Sequence, residues 1–279
     1  MPRFKLTIEY AGTRYSGWQI QKNARTVAGE IDRAVRTVTA RNDFELYGSG
    51  RTDAGVHAVG QVAHLDVATK LPAETLRRRV NDDLPADINI RSAEQVPHRF
   101  HARHHAIARR YVYQIARRRT AFAKPFVWWV KEPIDVARMR EASAAFTGMR
   151  DFGSFAARDD RRESKPRTRG PKPPPQDDER DEPSTLVLVD RLDIVEEGDL
   201  VLIAIEGSHF LWKMVRRIVG VLVEIGRGGL EPAAAAEFLG ESSAAPAQLT
   251  APPSGLFLER VFYQGDRRAV PVLAITPLR

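Results

Sequence analysis

Alternation of apolar and polar side chains over residues 3 to 10 predicts a β-strand, and the same period marks 44 to 49 and 60 to 67. Between the first two, Thr26-Val27-Ala28-Gly29-Glu30-Ile31 through Val38 fits a helix over 26 to 40. A second helix is predicted over about 72 to 82, opened by Pro72 with Glu74 in its first turn, and Ile88-Asn89-Ile90 begins a fourth strand. The order β-α-β-β-α-β is that of a ferredoxin-like, or split βαβ, unit.

The second half repeats this plan. Strands are predicted at 110 to 116, 126 to 131, 185 to 195 and 200 to 206, and a helix at 135 to 147. Helices over about 211 to 226 and 233 to 239, then a strand from Leu256 to Tyr263, close the chain. The expected fold is therefore α+β, with units over 1 to 104 and 105 to 279. Their strands would join in one extended, mainly antiparallel sheet with helices on one face and the other face open to a ligand.

Residues 158 to 183 break the pattern. They hold six prolines, sixteen charged residues and no large aliphatic or aromatic side chain, a composition that cannot bury enough surface to fold. The expectation is a disordered insertion, basic in its first half and acidic in its second. A passive solvated loop and a mobile arm touching nucleic acid are both open readings.

The 279 residues suffice for one large or two modest domains. No apolar run approaches the roughly 18 residues of a membrane span, and Met1-Pro2-Arg3-Phe4-Lys5 leads straight into a strand pattern, so a cytoplasmic location is expected. The absence of cysteine excludes disulfides, thiolate metal sites and cysteine nucleophiles. A net charge of +7, with arginines clustered at 77 to 79, 109 to 110, 117 to 119 and 216 to 217, is compatible with a polyanionic partner or with an ordinary solvated surface.

The candidate chemistry lies at Gly48 to Ala58, Gly-Ser-Gly-Arg-Thr-Asp-Ala-Gly-Val-His-Ala. One carboxylate, Asp53, stands two residues from Arg51 in a loop bracketed by glycines, which allow positive φ or close approach of a substrate. A tight turn in which Asp53 only accepts from a backbone N–H is the structural alternative. The histidines at 98, 101, 104 and 105 suggest zinc by spacing alone, but Pro97 to Ala108 offers no carboxylate or thiolate to complete a site, so contact with RNA is the preferred reading and no metal is expected. Gly48-Ser49-Gly50 lacks the Gly-Lys-Ser/Thr of a phosphate loop.

Gly-Arg-Thr-Asp-Ala-Gly-Val-His-Ala at 50 to 58 closely resembles the active-site motif of the TruA family of tRNA pseudouridine synthases. Further segments agree in order: Gly17-Trp18-Gln19, Asn23 to Val27, Val80 to Ile88, Phe100 to Arg103, Arg109 to Tyr113, Asp151 to Phe155, Met214 to Gly220 and Gly255 to Leu258. The resemblance implies an isomerase that converts uridine to pseudouridine in the tRNA anticodon stem-loop, commonly at tRNA positions 38, 39 and 40, without a cofactor, and acting as a homodimer. Residue by residue, it implies that Asp53 is the catalytic aspartate, Arg51 the arginine that invades the stem, Tyr111 the tyrosine stacked on the target base and Arg216 the partner of the aspartate. Leu256, or alternatively Leu258, would line the uracil pocket, and Thr52, Arg109, Arg110 and Tyr113 fall in the same substrate-binding segments. One departure is that Ser184-Thr185-Leu186-Val187 lacks the arginine that usually follows the Asp-Phe-Ser-Phe-like segment.

This chemistry needs a carboxylate near the sugar, as nucleophile or as base at C2′, and therefore an ionised Asp53, which a guanidinium at Arg216 would favour. Phosphate binding is the other reading of Arg216, and half-buried packing that of Tyr111. The target nucleotide must leave the stack, at a cost of a few kcal/mol that an aromatic face and pocket hydrogen bonds offset. A non-catalytic RNA-binding protein is the rival class.

Overall fold

The computed structural model describes residues 1–157 and 184–278; the predicted charged insertion lies outside them. The first unit comprises β1 (Arg3–Tyr10), α1 (Val27–Thr39), β2 (Glu45–Gly48), β3 (His57–Asp66), α2 (Ala73–Asp83) and β4 (Ile88–Val96). The second comprises β5 (Ala106–Ala116), β6 (Trp128–Trp129), α3 (Val136–Ser143), β7 (Gly148–Asp151), β8 (Leu186–Glu197), β9 (Leu200–Gly207), α4 (Met214–Gly226), α5 (Ala234–Gly240), α6 (Ala245–Gln248) and β10 (Leu256–Tyr263).

Local chemistry explains most boundaries. The Thr26 hydroxyl accepts from the Gly29 N–H at 3.2 Å and caps α1, which ends where Ala40 turns left-handed at φ 51°. Asp135 accepts from the N–H groups of Ala137 and Arg138 and starts α3. That helix stops at Ser143 and tightens into a 3-10 turn through Phe146, short of the expected residue 147. Likewise α4 starts at Met214, because Lys213 is left-handed at φ 61° and residues 211 to 213 cannot continue a helix backwards.

The sheet runs β4-β1-β3-β10-β5-β9-β8-β7, with β2 also on β3 and β6 on β5. Both halves share one strand order, β4-β1-β3-β2 and β10-β5-β9-β8. All pairings are antiparallel except β3 with β10 and β5 with β6. The expected strand at 126 to 131 shrinks to Trp128–Trp129. Its apolar run instead divides between two clusters, Val127 with Ala116 and Leu200, and Val130 with residues of α3 and α4. Strand β7 and helix α6 were not anticipated.

Directly opposed residues in a ladder share a face. Tyr111 opposes Leu258 and Ile205, Tyr113 opposes Leu256 and Ile203, and Leu258 opposes Ala58, itself opposite Tyr10. This one face carries the helices of both units: Phe4, Leu6, Ile8 and Tyr10 pack in the cluster that holds α1 and α2, while Tyr113, Ile203 and Ile205 pack with α3 and α4. Across β5 and β9 the other face is covered by residues 267–278, with Arg110 donating to the carbonyls of Val270 and Pro271 and Gln114 to Thr276.

The halves meet at a narrow seam. Only His57–Phe257 and Ala58–Leu258 pair β3 with β10, while β2 takes the far end of the same β3 edge, Ala63 to Asp66. β3 thus has two partners on one side, and they diverge around Gly60 to Val62. Gly60 lets β10 approach, since a Cβ there would collide with the Glu259 carbonyl. Gly60→Ala is expected to destabilise the chain by about 1–3 kcal/mol, read as a lower urea midpoint, because the strain falls on backbone that cannot yield.

Candidate active site

The 49–56 loop connects β2 to β3 where β2 and β10 part, and it is anchored by β3, by β1 and by Trp18. The Ser49 N–H donates to the Val62 carbonyl at 2.7 Å, and the Ser49 hydroxyl donates to Gln61 at 2.8 Å. Gln61 in turn donates to the Gly50 carbonyl at 3.1 Å. The Thr52 hydroxyl pairs with the Tyr10 hydroxyl at 2.8 Å, and the Thr52 carbonyl accepts from Trp18 at 3.1 Å. Val56 N–H closes a turn on the Asp53 carbonyl at 3.1 Å. The three glycines serve different ends. Gly55 adopts φ 79°, Gly48 leaves room for the Trp18 indole, whose atoms would lie 2.6 Å from a Cβ, and Gly50 faces open space.

Asp53 is thereby held in the gap between the two helix sets, on the helix-bearing face and not on the opposite one. Its carboxylate lies 3.6 Å from Arg216 of α4, with 26 % of the side chain exposed. Arg216 is itself fixed, since its Nε donates to the Ala251 carbonyl at 2.7 Å and its own carbonyl accepts from the Ala251 N–H at 3.0 Å. Lys213 and the Trp212 indole N–H also act on the carboxylate. All three groups belong to the N-terminal turn of α4 or its approach, where the helix dipole favours an anion.

Burial nonetheless wins. Desolvation raises the Asp53 pKa above the ordinary carboxylate value, against the lowering effects of Arg216, Trp212 and Lys213. The expected lowering by Arg216 is present but does not prevail. Tyr111 lies at the seam of both cores and its phenol is pushed up to about 12, first by burial and then by the Asp53 charge, so it remains protonated at neutral pH. Phe210 meets its ring edge-on at 5.3 Å.

The other expected substrate contacts divide. Arg51 is exposed and, among the described residues, has no hydrogen-bond or ion-pair partner. Thr52 is 7 % exposed and spends its hydroxyl on Tyr10, which makes it an anchor of the loop. Tyr113 shares the face of Tyr111 but is fully buried, donating to the Pro252 carbonyl at 2.8 Å beneath Gly255. Arg109 bridges the carbonyls of Ser49, Arg103, Ala106 and Ser208, tying the loop to the end of β9. Arg110 points to the opposite face and pairs with Glu259 at 2.9 Å, so it is removed from the substrate-facing set. Leu258, not Leu256, opposes Tyr111, and both are nearly buried.

The sequence reading missed Tyr10, Gln61, Trp212 and Lys213. Trp212 and Lys213 directly precede the Met214 to Gly220 match, which was their one signal. The histidines form a ring cluster: His101 lies 4.2 Å from His104, 4.7 Å from His64 and 4.9 Å from Tyr47. Burial pushes the His64 pKa down to about 4, so its ring is neutral.

The geometry is thus a loop-borne aspartate facing a helix-borne arginine near the centre of a sheet shared by two ferredoxin-like units, and sequence comparison places the chain in a family. The family model described as tRNA pseudouridine synthase matches residues 6–105 and 176–264. A tRNA pseudouridine synthase A from Afipia carboxidovorans is 37 % identical over 94 % of this chain and 100 % of its own length. Those of Nitrobacter hamburgensis and Rhodopseudomonas palustris are each 38 % identical, over 94 % and 95 % of this chain and 100 % of their own lengths. Among solved structures, a Cbf5-Nop10-Gar1 complex aligns with a TM-score of 0.27 at 12 % identity over 78 % of this chain and 54 % of that one, too low to bear on the fold. The chain belongs to the tRNA pseudouridine synthase family, more specifically to its TruA branch, and is an isomerase acting on uridine in tRNA.

The raised Asp53 pKa carries a sign. A carboxyl whose folded value exceeds its unfolded one stabilises the fold below the unfolded pKa, and that contribution is lost as pH rises through the folded pKa. Asp53→Asn, always neutral, should therefore melt above the wild type at pH 7, the difference closing as pH falls below the ordinary carboxylate range. Thermal melts across that range provide the check.

Proposed function

We propose that the chain isomerises uridines of the anticodon stem-loop, at tRNA positions 38, 39 and 40, through Asp53. What carries the reading is the Asp53–Arg216 contact at 3.6 Å, partly open to solvent, with Tyr111 close enough to sense its charge. The target base is extruded, Arg51 enters the vacated gap and Tyr111 supports the uracil, base stacking being worth about 1–3 kcal/mol. The Asp53 carboxylate then attacks C1′ or removes the C2′ proton, and the C1′–N1 bond breaks. The uracil turns and C5 bonds to C1′, displacing the Asp53 oxygen or, where C2′ was deprotonated, with the proton returned to C2′; the C5 proton leaves to solvent and N1 takes up one proton in its place. Substrate and product are isomers, so neither oxidant nor group donor enters. Because its phenol is protonated, Tyr111 serves as a stacking surface and hydrogen-bond donor in the resting site.

A homodimer with tRNA spanning both subunits, and a cytoplasmic setting, accompany this reading through the family resemblance. No helix among the described residues is long and apolar enough to cross a membrane. The rival, a non-catalytic RNA-binding protein, would leave Asp53 dispensable. Asp53→Ala is expected to abolish tritium release from C5-labelled uridine in tRNA while tRNA binding persists. Full turnover by that variant, or release from uridines outside the anticodon stem-loop, contradicts the proposal.

A further inference from the structure

Gln61 is a fully buried amide among apolar neighbours, and a β-bulge decides which way it points. Strand β3 pairs Ala58 with Tyr10 and Gln61 with Ile8, so Val59 and Gly60 together face the single residue Glu9 of β1. Strict alternation from Ala58 would set residues 60, 62 and 64 beneath the helices and turn Gln61 to the opposite face. The bulge resets the phase, and Gln61 joins Ile8 and Tyr10 on the face that carries Asp53. Within the bulge, the Val59 carbonyl accepts from the Arg91 guanidinium of β4 at 2.8 Å, a bond that reaches across β1.

The re-aimed amide meets the 49–56 loop at its entry. Its Oε1 accepts from the Ser49 hydroxyl at 2.8 Å and its Nε2 donates to the Gly50 carbonyl at 3.1 Å, so acceptor and donor grip two consecutive residues. The same Oε1 accepts from the Val62 N–H at 3.2 Å, while the Val62 carbonyl accepts from the Ser49 N–H at 2.7 Å. Ser49 is 1 % exposed and Gln61 0 %, so water does not replace a lost bond, and a buried polar group left unsatisfied costs about 1–3 kcal/mol. An aliphatic side chain would pack against Ile8 without that risk. Among the described residues, the hydrogen-bond partners of the amide other than the Val62 N–H all belong to the loop. With the Thr52 hydroxyl held by Tyr10 at 2.8 Å, two pins bracket exposed Arg51 and set the path that brings Asp53 to Arg216.

We infer that Gln61 is a positioning residue for the isomerisation: its amide fixes the entry of the loop at Ser49 and Gly50, and thereby the place of the Asp53 carboxylate before Arg216. This rests on the catalytic reading of Asp53. Gln61 is closed off from solvent and cannot touch RNA, so its loss falls on the chemical step and leaves tRNA affinity in place.

The test compares Gln61→Met, which keeps length and bulk without the amide, with Ser49→Ala, which removes the same bond from the loop side, and with the double variant. Single-turnover tritium release from C5-labelled uridine in tRNA is read at saturating enzyme, beside tRNA affinity and thermal melts, with Asp53→Ala in parallel. Small misplacements of a reacting group set the expected scale, a fall in the Gln61→Met rate of about 10- to 100-fold with the Kd for tRNA within about twofold of the wild type. Ser49→Ala should lose less, and the double variant no more than Gln61→Met alone, because both act through one bond. A purely structural amide would lower the melting temperature and leave the rate per folded molecule unchanged. A wild-type rate in folded Gln61→Met, or in Ser49→Ala where Gln61→Met does not fold, overturns the inference, as do losses that multiply in the double variant; an inactive Asp53→Ala keeps the catalytic reading in either case. An active Asp53→Ala removes that reading itself.

Discussion

The shared edge of β3 is the constraint on which the site depends. One side of this strand must satisfy β10 at His57 and Ala58 and β2 from Ala63 to Asp66, so the chain between β2 and β3 has no ladder to join and is thrust out where the two neighbours separate. A loop in such a place would be mobile were it not tied at both shoulders. Ser49 and Gly50 are held by Gln61 and Val62 of β3, Thr52 by Tyr10 of β1 and by Trp18. Asp53 inherits its position from these bonds and makes little of its own.

That placement has an electrostatic consequence. The carboxylate is drawn far enough into the gap between the helix sets for desolvation to outweigh two cations and an indole donor, and its pKa rises. Without Arg216, Lys213 and Trp212 the same burial would drive it further, and the ionised form needed for attack or proton removal would become scarcer. The N-terminal turn of α4 gathers these groups because the chain must reverse after β9, and left-handed Lys213 is the residue that reverses it. The strain is local and the benefit is shared, a distribution common at functional sites.

Arginine content misleads when read as a count. Arg110 is consumed by Glu259 and by two carbonyls of the C-terminal segment, Arg109 by four carbonyls, Arg217 by Ser154 and Ala156, and Arg77 by Glu74. Most of these guanidinium donors are spent on backbone carbonyls and the rest on carboxylates. Arg51 is of the other kind, exposed and among the described residues unpartnered, and its surroundings suit an incoming polyanion.

Strand and helix periods, the two repeated β-α-β-β-α-β runs and the glycine-bracketed Asp53 could all be read from the sequence, because each is written in residues close together along the chain and follows from backbone sterics and burial alone. The join between the units could not. It depends on β3 accepting β10 two hundred residues later, on Gly60 letting Glu259 approach, and on residues 267–278 covering one face so that the helix-bearing face keeps the opening. The fates of Arg109 and Tyr113 were likewise decided by contacts from distant segments, whereas strand alternation by itself sets Arg110 on the face opposite Tyr111. Local sequence determined which elements form and which carboxylate is available; the tertiary structure alone decided what surrounds that carboxylate, because desolvation and charge contact are properties of space and not of order along the chain.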